Sequence, residues 1–94
     1  MKTIYKYRLK VTDEQNIEAP AQALWLSVGN QQDQLVAWAL VDTEKVLAHH
    51  HFLIFGTGNP ADPLANSHLR LHHLGTVQQF GGSLVWHVFI REDR

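Results

Sequence analysis

The chain contains no cysteine, which excludes a disulfide framework, a thiolate metal site and a thiol nucleophile. A small domain without such staples commonly gains stability by burying surface against copies of itself, so a homo-oligomer is expected. Excess positive charge is also missing: eight Lys and Arg stand against nine Asp and Glu, for a formal net charge of -1. Proteins whose affinity comes from neutralising many duplex phosphates are clearly basic as a rule, so duplex nucleic acid is not an expected partner. No run of the sequence approaches the ~20 apolar residues needed to cross a bilayer. The basic start Met1–Arg8 is followed by no apolar segment of the signal-peptide kind. Together these absences predict a cytoplasmic protein with no membrane partner.

What is present has the period of a β protein. Tyr5, Tyr7, Leu9 and Val11 alternate with Lys6, Arg8 and Lys10, as in a half-buried strand with a cationic outer face. After the turn formers of Thr12–Asn16, Ile17 to Pro20 reads as a short extended piece ended by proline. Leu24, Leu26 and Val28 then alternate with Trp25 and Ser27, which predicts a core face carrying Leu24, Leu26 and Val28 and a second face carrying Trp25 and Ser27. The stretch Gly29–Asp33 reads as a hairpin loop. Leu35–Val41 is apolar on both faces, with Trp38 expected in the core. Val46–Phe55 is a long strand, His73–Gln79 and Leu84–Ile90 are two more, and Phe80–Ser83 is a turn between them. Gly56–Pro63 carries the densest loop signal in the chain. One short helix is expected near residues 64–71, although Asn66, Ser67 and His68 oppose it, and the charged end Arg91–Arg94 is expected to fray. The expectation is a single domain over residues 1–94, mainly β, folded as a compact six- to seven-stranded antiparallel sandwich or open barrel.

Three constellations could carry chemistry. Seven histidines include the consecutive His49, His50 and His51, with His68, His72, His73 and His87 later. Imidazoles can bind a transition metal, but this spacing matches no zinc motif, so half-exposed sheet positions are the expectation and neither metal nor cofactor is. The loop Gly56-Thr57-Gly58-Asn59 could cradle an anion with its backbone N–H groups, or be a tight turn needing positive φ. It lacks the Gly-Lys-Ser/Thr of a phosphate loop. Cations lie near aromatics, notably Arg8, Arg70, Trp25 and Trp86, a pairing able to contact phosphate and stack on a base. Ser27, Ser67 and Ser83 stand in no nucleophile context, and the aspartates fall in turns. A non-enzymatic binding module is therefore expected.

Several segments together resemble one family. Lys2-Thr3-Ile4-Tyr5-Lys6-Tyr7, Trp38-Ala39-Leu40-Val41-Asp42, Ile54-Phe55-Gly56-Thr57-Gly58, Gly75-Thr76 and Gly81-Gly82-Ser83-Leu84-Val85-Trp86-His87-Val88-Phe89 look like small proteins of tailed bacteriophages and prophages. That resemblance implies a place in the host cytoplasm and antagonism of host defence. The mode would be sequestration of a small anionic signal such as a cyclic nucleotide, or masking of a host defence protein. For the first mode the residues singled out are Thr57, Gly58 and Asn59 for phosphate, Arg8 and Arg70 for charge, and Trp25 and Trp86 for stacking. For the second, Trp25 and its apolar neighbours would be the anchors. A metal-dependent hydrolase built on the histidines is the third and weakest alternative.

Overall fold

A computed structural model describes residues 1–66 and 68–92 of the chain. Ser67 of the expected helix and the expected frayed residues Asp93 and Arg94 lie outside the described residues. Among the described residues seven strands form: β1 Lys2–Arg8, β2 Glu14–Pro20, β3 Leu24–Gln31, β4 Gln34–Asp42, β5 Leu47–Gly56, β6 Leu71–Gln79 and β7 Leu84–Arg91. They build a three-stranded sheet in the order β1-β4-β3 and a four-stranded sheet in the order β2-β5-β7-β6. Every pairing is antiparallel. The fold is thus mainly β, with two packed sheets and no closed barrel. Among the described residues, no helix is long and apolar enough to cross a membrane.

The core is a single apolar layer between the sheets. Leu35 and Ala37 of β4 meet Phe52 and Ile54 of β5, Val77 of β6, and Val88 and Ile90 of β7. Ala37 and Ala39 are wholly buried, and their small side chains sit across from Tyr7 and from Trp25 in the register. That leaves room for two large rings, whose centroids lie 5.3 Å apart.

Here the structure corrects the expected facing of β3. Trp25 points inward, edge-on to Phe52 at 4.7 Å, whereas Leu24 and Leu26 are 58% and 44% exposed on the outer face. The cause is a bulge between Trp25 and Ser27. One extra residue breaks the two-residue period, so Trp25 and Val28, three positions apart, can both face the core. Trp38 is corrected in the opposite sense. It pairs with Lys6 and Ser27, and its ring lies against Gly29 on the outer face. A Cβ at Gly29 would stand 3.0 Å from that ring.

The expected helix near residues 64–71 is also different. A single 3₁₀ turn spans Asp62–Ala65, and β6 begins at Leu71. Proline occupies the start of that turn, and its fixed φ suits such a position. The segment between β5 and β6 lies over the outer face of the four-stranded sheet. Pro60 and Pro63 share a cavity there with Leu53 and Phe55, whose exposures of 4% and 9% are core-like.

At one flank the sheets approach closely. A Cβ on Gly75 of β6 would come within 2.7 Å of Val28 Cγ2 on β3, so side-chain-free backbone is required there. At the other flank lie the two outside strands, β1 and β2. The link between them is clasped by Gln15, whose side chain donates to the Lys10 carbonyl at 2.6 Å and accepts from the Lys10 N–H at 2.9 Å.

Candidate ligand-binding face

The outer face of the three-stranded sheet follows directly from its register. Cross-strand rows over β1, β4 and β3 run Arg8–Val36–Gly29, Lys6–Trp38–Ser27 and Ile4–Leu40–Leu24, and Lys2 pairs with Asp42. Side chains at alternate positions share a face, so Lys6 and Arg8 gather at one end and the exposed aliphatics Ile4, Leu40 and Leu24 lie toward the other, next to Lys2. The cationic end is hollow. A depression of about 420 Å³ is lined by Lys6, Arg8, Gln31, Gln32, Gln34 and Val36. The β3–β4 hairpin forms part of its wall by a two-residue turn in which Gln32 and Asp33 take φ values of 51° and 59°. Such primed turns match the twist of the paired strands.

No carboxylate is among the lining residues. Lys6 Nζ donates to Gln31 Oε1 at 2.9 Å, which holds the ammonium group at the rim. Two fixed cations and three carboxamides suit an anion with several oxygen acceptors: Arg can engage phosphate in a bidentate way, and Gln can donate or accept. Trp38 lies one strand position from Lys6 and adds an aromatic surface beside the charge.

The other residues expected at a ligand site lie elsewhere. Thr57, Gly58 and Asn59 follow β5 on the side of the four-stranded sheet. The Thr57 hydroxyl is already hydrogen-bonded to His87 Nε2 at 2.7 Å. His87 Nδ1 continues to Thr76 Oγ1 at 3.1 Å, and Thr76 to His73 Nε2 at 3.1 Å. Gly58 has φ 88° and open space around it, which fits a turn. Asn59 lines a second cavity of about 420 Å³ with Asp13, Glu14, Leu53, Phe55, Pro60 and Pro63. Its two carboxylates and lack of any lining cation are the wrong electrostatics for phosphate. Arg70 is exposed just before β6, and its carbonyl accepts from the Glu92 N–H at 2.7 Å.

Neither tryptophan presents a free stacking face. Trp25 lies between the sheets, and its Nε1 donates to His50 Nδ1 at 3.3 Å. Because that indole can only donate, His50 holds its proton on Nε2, which lies 3.1 Å from the Pro20 carbonyl. Trp86 packs on the core over Gly56 and donates from Nε1 to Gln79 Oε1 at 2.9 Å. Of the residues predicted for the ligand, Arg8 alone lies in the basic depression. Lys6, Gln31, Gln32, Gln34 and Trp38 were not assigned to a site from sequence, although the alternation of Lys6 with Tyr5 and Tyr7 already put its charge on Arg8's face.

Six of the seven histidines stand on β5, β6 and β7 of the four-stranded sheet, and His68 lies in the segment before β6. His51 is bonded to Asn16 Oδ1 at 2.9 Å and lies 3.3 Å from Glu14, while His50 faces inward. Among the described residues, no group of three or more His, Asp or Glu side chains is placed to hold a metal ion.

Fold and site together define a small two-sheet β domain with one basic, carboxamide-lined outer depression. The chain belongs to the family described as a domain of unknown function (DUF7352), whose model matches residues 1–94. Searches of the curated proteins and of the solved structures gave no match.

Proposed function

We propose that this chain is a non-enzymatic binding protein that takes a small anionic ligand of nucleotide type into the Lys6/Arg8 depression. The observation that carries this is a hollow with two cations, three carboxamides and no carboxylate on a chain whose net charge is -1. Local positive potential against a balanced background favours a small anion over a long polyanion. Combined with the resemblance to phage proteins, the role is sequestration of an anionic host immune signal in the host cytoplasm.

Calorimetric titration of the untagged protein with a panel of cyclic mono- and dinucleotides tests this. Saturable binding is expected for at least one, weakened about tenfold or more by Arg8→Ala, because a charge-assisted bidentate contact is lost. Asn59→Ala is expected to leave affinity unchanged. Absence of binding across the panel, or a folded Arg8→Ala protein with unaltered affinity, would overturn the assignment.

A second reading is favoured by one observation on the same face. Ile4, Leu40 and Leu24 stand in one cross-strand row, 57%, 36% and 58% exposed, with Leu26 beside them. Such a patch suits the masking of a host protein. The two readings separate on single variants: Arg8→Ala impairs the first, and Leu24→Asp only the second.

A further inference from the structure

We propose that the chain forms a two-fold dimer in which β1 of each copy pairs with β2 of the other, joining both sheets across the interface. This rests on the flank opposite the β3–β6 approach and not on the ligand depression. There β1 is the last strand of the upper, three-stranded sheet and β2 the last strand of the lower, four-stranded one. Each presents seven residues of sheet edge, about 23 Å of unextended ladder.

The charges of the two edges are opposite. β1 carries Lys2, Lys6 and Arg8 and no acid, and β2 carries Glu14 and Glu18 and no cation. Like-charged edges repel, so β1 cannot readily pair with another β1, nor β2 with another β2. Opposite edges attract.

The geometry allows both pairings at once. β1 runs from the level of Asp42 to that of Val36, and β2 from Leu53 down to Leu47. The turn after Asp42 leads directly into β5 at Leu47, so β1 and β2 run in opposite directions along the same height. A two-fold axis parallel to the strands exchanges upper and lower sheets while preserving strand direction. It therefore sets β1 of one copy antiparallel to β2 of the second, in both layers.

In the register that matches charges, Lys2 faces Glu18 and Lys6 faces Glu14 of the second copy. Thr3 and Tyr5 then face Ile17 and Gln15 on the inner side. Tyr5, an inner-face residue left 44% exposed in the single chain, gains cover from Gln15 opposite it and from Ile17 on the diagonal. The product is a pair of continuous seven-stranded sheets with no edge left at this flank.

Sedimentation velocity across a concentration series, with the variants Lys2→Glu, Glu18→Lys and the double reversal, tests the proposal. Lys2 and Glu18 lie outside the depression assigned to the anion, while the pairing sets the second copy's Glu14 beside Lys6 at its rim. A reversal that loses the dimer is therefore expected to bind the anion at least as tightly, which keeps the two readings distinguishable. The wild type is expected at twice the 10.7 kDa chain mass. Each single reversal should raise the dimer dissociation constant about tenfold, since each acts twice in a symmetric interface. The double reversal should recover it to within about threefold. A wild-type monomer at every concentration overturns the proposal. So do folded single reversals that dimerise normally, or a double reversal that does not recover.

Discussion

Among the described residues Gln79 is the one buried polar side chain, at 3% exposure, and it ties both sheets together at one end. Its Oε1 accepts from Trp86 Nε1, while its Nε2 donates to Asn30 Oδ1 at 3.3 Å and to the Asp33 carbonyl at 3.2 Å. Truncation leaves the Trp86 indole N–H and the hairpin carbonyl without that partner, and an orphaned buried group costs more than the bond itself contributes. We therefore expect Gln79→Ala to lower stability by about 2 kcal/mol, read as a reduced urea midpoint with an unchanged slope. A change below about 0.5 kcal/mol would show that water replaces the network. At this scale the sequence was partly legible. Arg8 could be picked out because the charge alternation of its strand is unbroken. Trp25 could not be placed, because a bulge is a backbone event with no residue signature at Trp25-Leu26-Ser27. Gln31 and Gln32 read as part of a hairpin loop and Gln34 drew no reading, and only the turn between them brings the three amides to the Lys6/Arg8 side.

At the scale of elements, alternation and turn chemistry located all seven strands to within a few residues, because two faces of different polarity impose a period of two. The segment after β5 was harder. Its prolines and glycines signal a loop, but nothing local reveals that the loop lies over Leu53 and Phe55. The turn between β4 and β5 joins the two sheets and carries a titrating group. Asp42 Oδ1 accepts from the Glu44 N–H at 3.1 Å. That bond above all holds its carboxyl below the ordinary value of 3.8; desolvation opposes it, and the Met1 ammonium group 3.6 Å away adds a smaller lowering. A carboxyl whose value is depressed on folding contributes stability above its unfolded value and loses it as pH falls through the folded one. The wild type should thus unfold at a higher temperature than Asp42→Asn at neutral pH, with the gap closing as pH drops through and below 3.8. A gap that stays constant with pH would assign the difference to turn shape and not to charge.

As a whole the molecule is a slab, with Cα extents of 40 × 35 × 16 Å. That thickness holds one apolar layer between two sheets, so a ligand of nucleotide size has to bind on an outer face or at an edge. The sequence conveyed the layer count, since strands patterned on one face imply sheet-on-sheet packing. It did not convey which strands lie at the edges, because β1 pairs with β4 and β2 with β5 across long stretches of chain. The place of β1 has a consequence for how the protein comes into being. Lys2 pairs with Asp42, so β1 leaves the ribosome without its partner strand until β4 has been made, whereas the β3–β4 and β6–β7 hairpins close locally. Non-local pairing is slow because chain closure is entropically costly before contacts reward it. In pulsed hydrogen exchange during refolding, amides of β3 and β4 should gain protection before those of β1, and simultaneous protection would contradict that order. Until it docks, the nascent β1 is a bare basic strand, held in solution by the lysines and arginine that later line the outer face.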